Sequence, residues 1–206
     1  ENQVAATVSA GNTGALMAIS YKVLKTIDGI LRPAIISSLP TKSAKDVFVL
    51  DLGANVTCTV DNMIQFALMG SFVAKSKGIT NPRIGILNIG EEKNKGSLLI
   101  KETYEVLEKM PLNFVGFIEP TRLYSDEVDV VVCDGFTGNI ALKTAEGTAN
   151  FIMKEVKNSM TSNLYGKVLS FLNIKNIKKI KDKLDPRLYN GAILIGLNSP
   201  VVKSHG

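Results

Sequence analysis

The sequence has few of the residues on which many enzyme and nucleic-acid sites depend. Its 206 residues include no tryptophan and a single histidine, His205, and aromatic residues make up 6% of the chain. A hydrolase with a serine–histidine–aspartate triad is hard to build from one histidine in a chain without a GxSxG turn. Proteins that stack single-stranded nucleic acid need exposed aromatic rings, so we expect no nucleic-acid partner.

Metal and nucleotide motifs are also missing. The two cysteines, Cys58 and Cys133, lie far apart and form no CxxC pair, and with one histidine they rarely complete a tetrahedral zinc site. We therefore predict no metal site and no cofactor, and two free thiols as in cytosolic proteins. Neither GxGxxG nor GxxxxGK followed by Ser or Thr occurs, which disfavours the usual dinucleotide-binding folds and P-loop nucleotidases. No apolar run approaches the ~18 residues of a membrane-spanning helix.

Positive charge is concentrated in one part of the chain. Residues 151–206 carry a net charge of +7 and the preceding residues carry −2, which gives the total of +5. An apolar stripe at helical spacing accompanies a lysine cluster: Ile174, Ile177, Ile180 and Leu184 alternate with Lys175, Lys178, Lys179, Lys181 and Lys183. We predict a helical excursion over residues 151–188 that presents a basic surface to an anionic partner, such as a lipid leaflet or an acidic protein.

Short apolar runs recur along the rest of the chain, and helix-period segments separate them. Five such runs have strand length: Val4–Val8, Val47–Leu50, Ile84–Leu87, Asn113–Phe117 and Val128–Cys133. Two of the intervening segments show amphipathic stripes, Leu16, Ile19, Val23 and Ile27 in one and Met63, Phe66, Ala67 and Gly70 in the other. Apolar strands that alternate with helices predict an open α/β fold, with a parallel sheet covered on both faces.

Polar, glycine-containing turns follow four of these runs. In an open parallel sheet, ligands bind beyond the carboxyl ends of the strands, so we expect the four turns to converge on one crevice. Glycines allow close backbone approach, and helix N-termini attract anions. One such turn alone is more often a helix cap, whereas four together favour a phosphate site. The candidate phosphate or substrate contacts are Gly11, Asn12, Thr13, Gly14, Asn55, Gly135, Thr137, Gly138 and His205.

Charged side chains near the turns offer further candidates. Lys95 follows the third turn and could neutralise a phosphate or a developing oxyanion, although a solvated loop lysine fits the position equally well. Lys93 is its nearest alternative. Asp51 and Asp134 each end a strand, where capping of the following turn is the favoured interpretation. His205 could contact a ligand or only cap a loop.

The turns resemble those of a known family. The matching segments, in order, are Val8–Met17, Arg32–Ala34, Leu39–Thr41, Asp51–Val56, Gln65–Ser71, Asn81–Glu92, Asp134–Asn139 and Gly196–Gly206. On these motifs the chain is similar to the bacterial phosphate acyltransferases known as PlsX, and the similarity runs through the whole chain. The family's first part and its last segment have no counterpart here, so we expect residues 1–206 to form an incomplete α/β catalytic domain.

The resemblance implies a fold, a reaction and a set of partners. The fold is a three-layer α/β/α arrangement with a mostly parallel sheet, related to phosphotransacetylases and isocitrate-type dehydrogenases. The reaction converts acyl carrier protein thioester and inorganic phosphate into acyl phosphate, which a membrane-bound acyltransferase then transfers to glycerol 3-phosphate. Family members are homodimers in the cytoplasm that associate peripherally with the inner face of the cell membrane through a helical tip.

Residue roles also follow from the resemblance. Lys95 and Asn139 are the best catalytic candidates, and Leu169, Phe171 and Leu172 are the expected tip, which enters the interface of an anionic membrane. A solvated, dimer-packing arm is the alternative for the tip region. Two other functions remain open: a phosphotransacetylase-type enzyme that uses coenzyme A, and a non-enzymatic regulator that binds phosphate or acyl groups.

Overall fold

The computed structural model describes residues 5–43, 45–163, 165–166, 168, 172–184 and 191–204. Its strands are β1 (Thr7–Ser9), β2 (Ala34–Pro40), β3 (Asp46–Leu50), β4 (Ile84–Leu87), β5 (Phe114–Ile118), β6 (Val130–Val132), β7 (Ala192–Ile195) and β8 (Val201–Lys203). Its helices are α1 (Thr13–Leu24), α2 (Val60–Ser76), α3 (Leu98–Leu107), α4 (Gly135–Met160) and α5 (Ile174–Leu184), with a short 3₁₀ helix at Pro120–Arg122. The chain divides into two compact units, Glu1–Asn139 with Asn190–Gly206, and Ile140–Tyr189.

The first unit contains one eight-stranded sheet, in the order β1-β8-β7-β2-β3-β6-β4-β5. Strands β3, β6, β4 and β5 are mutually parallel, and β1 is parallel to β8. The pairs β8–β7, β7–β2 and β2–β3 are antiparallel. The predicted α/β fold is confirmed, with a sheet that is parallel in its β3–β5 half and mixed in the other half.

The core lies where α2 covers the parallel strands. The predicted stripe of α2 is confirmed, because Met63, Phe66 and Ala67 are fully buried against the sheet. A Cβ added at Gly70 would lie 2.5 Å from Cγ1 of Val130, so α2 approaches β6 closely at this point. A capping box between Thr59 and Asn62 fixes the start of the helix.

Helix α1 forms where its stripe predicts it, but the stripe is largely exposed. Leu16 is half-buried, whereas Ile19 and Val23 keep 64% and 69% of their surface in solvent. Val8 of the neighbouring strand β1 is also exposed. The expected burial of this helical face is therefore not found within the described part of the chain.

An ion pair joins the starts of β4 and β6. Asp129 accepts hydrogen bonds from the backbone N–H of Arg83 at 2.7 Å and from its guanidinium at 2.9 and 3.0 Å. The Arg83 carbonyl accepts in return from the N–H groups of Asp129 and Val130. The pair thus sets the alignment of two parallel strands whose opposite ends carry candidate site loops.

The second unit contains the greater part of α4 and all of α5. Among the helices that the structure describes, none combines the length and apolar character needed to cross a bilayer. The apolar residues Phe151 and Ile152 of α4 and Ile174 of α5 are exposed.

Candidate functional site

Three of the four predicted turns follow neighbouring parallel strands at one edge of the sheet. The register places Leu50 of β3 level with Val132 of β6, and Val132 level with Ile86 of β4. The loops that begin at Asp51, Cys133 and Asn88 therefore leave the sheet side by side. This is the edge at which ligands bind in parallel α/β sheets.

The first of these loops is organised around the buried carboxylate of Asp51. Its Oδ1 accepts hydrogen bonds from the N–H groups of Ile35 and Ala54, and its Oδ2 accepts from the backbone N–H and the amide of Asn55. Burial raises the pKa of Asp51, and these four hydrogen bonds act in the opposite direction. The interpretation of Asp51 as a capping residue is confirmed.

Asn55, a predicted phosphate contact, is almost completely buried. Its amide donates to the Pro33 carbonyl at 2.8 Å and to Asp51 at 2.9 Å. Its Oδ1 finds no hydrogen-bond partner among the residues that the structure describes. Only 2% of Asn55 is accessible to solvent. A direct contact between Asn55 and phosphate stays a prediction.

The second loop leads into α4, and Asp134 caps that helix. Its Oδ1 accepts from the backbone N–H of Thr137 at 2.9 Å, its Oδ2 accepts from the Thr137 hydroxyl at 2.7 Å, and its carbonyl accepts from Gly138. The N–H of Gly135 donates to the Asn55 carbonyl at 2.8 Å. These bonds use the backbone N–H groups of Gly135, Thr137 and Gly138, three residues that were predicted to bind phosphate. Asn139 is exposed.

Two glycines allow α4 to approach the Asp51 loop. A Cβ at Gly138 would collide with the Asp51 carbonyl oxygen and lie 2.8 Å from the Cys133 sulfur. Gly53 has a φ of 120°, which side chains rarely adopt, and a Cβ there would lie 3.5 Å from the Cβ of Asn139. The candidate catalytic residue Asn139 therefore lies beside Gly53 of the Asp51 loop.

The third loop holds Lys95 at the surface. The buried Asn88 closes this loop by donating to the carbonyls of Gly90 at 3.0 Å and Lys95 at 3.3 Å. The Lys95 ammonium lies 2.9 Å from the carboxylate of Glu92. The hydrogen bond and the charge of Glu92 raise the pKa of Lys95, so this side chain is a cation and not a base at neutral pH.

Lys93 points to a different part of the molecule. Its ammonium donates to Glu108, the residue that caps the C-terminus of α3, at 2.7 Å and lies 4.7 Å from the centre of the Tyr104 ring of α3. The two lysines therefore have different partners, Glu108 and Tyr104 for Lys93 and Glu92 for Lys95. The resemblance to the PlsX family favoured Lys95, and its catalytic role stays a prediction.

The prediction that all four turns share one edge of the sheet is wrong for the first turn. Three antiparallel pairings separate β1 from β3, so β1 runs in the opposite direction and the turn Gly11–Gly14 follows the other edge. Asn12 caps α1 there, since its side chain accepts from the N–H of Ala15 at 3.1 Å. Ser204 donates to the Ser9 carbonyl at the same edge. Whether Gly11, Asn12, Thr13 and Gly14 bind an anion stays a prediction.

Some predicted residues lie outside the described residues, namely His205, Leu169 and Phe171. Leu172 is described and is 72% exposed. The described residues contain no group of histidine, cysteine and carboxylate side chains suited to a metal ion. Asn88 is the site residue that the sequence analysis missed. A signal was present, because Asn88, like Asp51, is the first residue after a buried strand.

Neither cysteine has the lowered pKa that is typical of a nucleophilic cysteine. Cys133 is fully buried, and burial raises its pKa well above the ordinary range. Burial also raises the pKa of Cys58 to about 11. A thiolate is the reactive form of cysteine, so both side chains are unreactive at neutral pH.

Comparison with known proteins defines the family. The sequence model of the fatty acid synthesis protein family matches residues 1–206. The chain belongs to this family. The phosphate acyltransferase of Pelagibacter ubique is 54% identical over 203 residues, which cover 97% of this chain and 61% of that protein. The phosphate acyltransferase of Alkalilimnicola ehrlichii is 46% identical over 207 residues, which cover all of this chain and 60% of that protein. This member of the family thus spans less than two thirds of the length of these relatives.

Solved structures confirm the fold of this family member. A phosphotransacetylase from Streptococcus pyogenes superposes with a TM-score of 0.63 at 18% identity, covering 98% of this chain and 58% of that one. A branched-chain phosphotransacylase from Enterococcus faecalis gives a TM-score of 0.61 at 17% identity, covering 99% of this chain and 68% of that one. The predicted relationship to the phosphotransacetylase fold is therefore confirmed.

Proposed function

We propose that the whole protein is a phosphate acyltransferase of phospholipid synthesis, which transfers a fatty acyl group from acyl carrier protein to inorganic phosphate. The observation that carries the proposal is the 54% identity to the Pelagibacter ubique phosphate acyltransferase over 97% of this chain. The arrangement of the candidate site supports it, because Lys95 and Asn139 extend from loops that follow neighbouring parallel strands.

The proposed chemistry needs no covalent enzyme intermediate. A phosphate oxygen attacks the thioester carbonyl, the carbon–sulfur bond breaks, and the carrier protein leaves as a thiolate that takes up a proton. The enzyme must hold the two substrates together, which can contribute several kcal/mol. It must also stabilise the oxyanion, at about 3 kcal/mol for each well-placed donor. We assign this second role to the Lys95 cation and the Asn139 amide, and the attraction of phosphate to the positive end of the α4 dipole.

The proposed partners follow from the same reaction. The substrates are acyl carrier protein and inorganic phosphate, and the product would pass to an acyltransferase that acts on glycerol 3-phosphate. We further propose a homodimer that is cytoplasmic and associates with the inner face of the cell membrane. The net charge of +7 on residues 151–206 supports the membrane association, since anionic head groups attract lysines.

Release of free carrier protein by the whole protein tests this function. Acyl carrier protein thioester should be consumed only when phosphate is present, with acyl phosphate formed in equal amount. The same assay with a coenzyme A thioester is the control. Faster turnover of the coenzyme A substrate would indicate a phosphotransacetylase-type enzyme, and binding without turnover of either substrate would indicate a regulator.

A further inference from the structure

The Asp51 loop and the start of α4 form a single hydrogen-bonded unit at the candidate site. Asp51 holds Asn55 in place through Oδ2, at 2.6 Å from its backbone N–H and 2.9 Å from its amide. The Asn55 carbonyl is thereby positioned to accept from Gly135, the first residue of α4, at 2.8 Å. The buried carboxylate of Asp51 is thus linked to the first residue of α4 through Asn55, in addition to the cap that Asp134 provides.

Packing reinforces this connection. Gly138 lies directly against the Asp51 carbonyl, where no side chain fits. The sulfur of Cys133 contacts the same carbonyl at 3.4 Å. Asn139, one residue after Gly138, lies so close to Gly53 of the Asp51 loop that a Cβ there would contact it at 3.5 Å. A displacement of this loop would therefore carry Asn139 with it.

We infer that Asp51 and Asn55 are positioning residues, which act on the reaction by fixing Asn139 rather than by contacting substrate. This inference depends on the proposed function, in which Asn139 acts at the reacting centre. Asp51 is fully buried and all four of its hydrogen bonds are made to the protein itself. A misplacement of about 1 Å in a catalytic group can cost roughly a hundredfold in rate, so such an anchor has a large effect on turnover.

The substitution Asp51→Asn isolates the contact to Asn55. An asparagine oxygen can still accept from Ile35 and Ala54, but its amide would face the two Asn55 donors and lose both bonds. We expect phosphate-dependent turnover by the whole protein to fall by at least roughly tenfold at a temperature where the variant is folded. The matched control is Asp46→Asn, an exposed residue at the other end of β3, which should leave turnover unchanged.

A double-mutant cycle with Asn139→Ala distinguishes positioning from a direct role. If Asp51 acts through Asn139, the double variant should be no slower than Asn139→Ala alone, because the effects of coupled residues do not add. Additive effects, or normal turnover of Asp51→Asn beside a slow Asn139→Ala, would overturn the inference.

A second variant covers the case in which Asp51→Asn fails to fold. Asn55→Ala keeps the backbone bonds to Asp51 and Gly135 and removes the amide contacts to Asp51 and Pro33, so it should show a smaller loss than Asp51→Asn with the same lack of additivity. Normal turnover of folded Asn55→Ala would again count against the inference. Failure of the proposed function looks different, because the unmodified protein would then show no phosphate-dependent turnover.

Discussion

At the scale of single residues, the structure gives different surroundings to side chains that are close in sequence. Lys93 and Lys95 are two positions apart, yet one packs on α3 and the other lies at the loop surface beside Glu92. Thr137 and Asn139 likewise occupy one turn, where Thr137 is used by the Asp134 cap and Asn139 is exposed. Side-chain direction within a loop depends on contacts to distant segments, which local sequence does not encode.

The close approach of α4 to the Asp51 loop predicts the effect of a single methyl group. Gly138→Ala should lower the free energy of unfolding by about 1–3 kcal/mol, because the added carbon has no space beside Asp51 and Cys133. In the same helix, the Cβ of Gly147→Ala would have no atom within 4 Å, and this substitution should raise the free energy of unfolding by about 0.5–1 kcal/mol. Urea unfolding measures both changes. Equal effects of the two substitutions would show that the approach at Gly138 is not tight.

At the scale of helices and strands, the apolar runs predicted five strands correctly and missed three. Strands β3, β4 and β6 are buried on both faces, which gives the continuous apolar runs that the sequence shows. Strand β2 was missed because Ser37, Ser38 and Pro40 interrupt its apolar run. β7 and β8 were also missed, although they are as long as β4 and β6. These three strands introduce the antiparallel pairings, so missing them also led to the wrong edge for the turn after β1.

The ion pair at the start of β4 and β6 gives the fold a predictable response to acid. Burial disfavours the charged form of Asp129, but the hydrogen bonds and charge of Arg83 outweigh it and hold the pKa of Asp129 below its ordinary value. A lowered carboxyl pKa adds stability above the unfolded pKa of about 3.9, and this stability is lost as the pH falls through the lower folded value.

Asp129→Asn should therefore destabilise the protein by about 1.5–3 kcal/mol at pH 7, through loss of a charge-assisted contact. The difference from the unmodified protein should shrink as the pH falls below about 4. Urea unfolding across this pH range measures it, with the exposed Asp28→Asn as control. A difference that stays constant with pH would contradict the assignment.

The proposed tip, Leu169, Phe171 and Leu172, is tested by sedimentation with anionic lipid vesicles. Changing all three to Ser should weaken vesicle binding by the whole protein. The lysines attract anionic head groups at ~1 kcal/mol for each lysine, and apolar side chains that enter the membrane interface add to this attraction. Phe72→Ser, an exposed apolar position on α2, is the control and should bind normally. Unchanged vesicle binding of the triple variant would favour the alternative of a dimer-packing arm.

At the scale of the whole molecule, the fold positions three loops at one edge of the parallel half of the sheet and leaves apolar surface at the other half. Ile19 and Val23 of α1 and Val8 of β1 are exposed apolar residues in that half. The chain spans 61% of the length of the Pelagibacter ubique phosphate acyltransferase. The fold class and the three-loop edge were predictable, because they depend on alternation of apolar and polar residues. The direction of β1 was not, since it is set by pairings between distant segments.

The most direct test of the central claim is the phosphate-dependent release of carrier protein by three variants of the whole protein. Lys95→Ala and Asn139→Ala should each lower turnover at least tenfold, since each removes about 3 kcal/mol of oxyanion stabilisation while the fold is kept. Lys93 lies in the same loop as Lys95, but its ammonium pairs with Glu108. Lys93→Ala should therefore retain normal turnover. Near-normal turnover of both Lys95→Ala and Asn139→Ala would contradict the account and place the chemistry elsewhere.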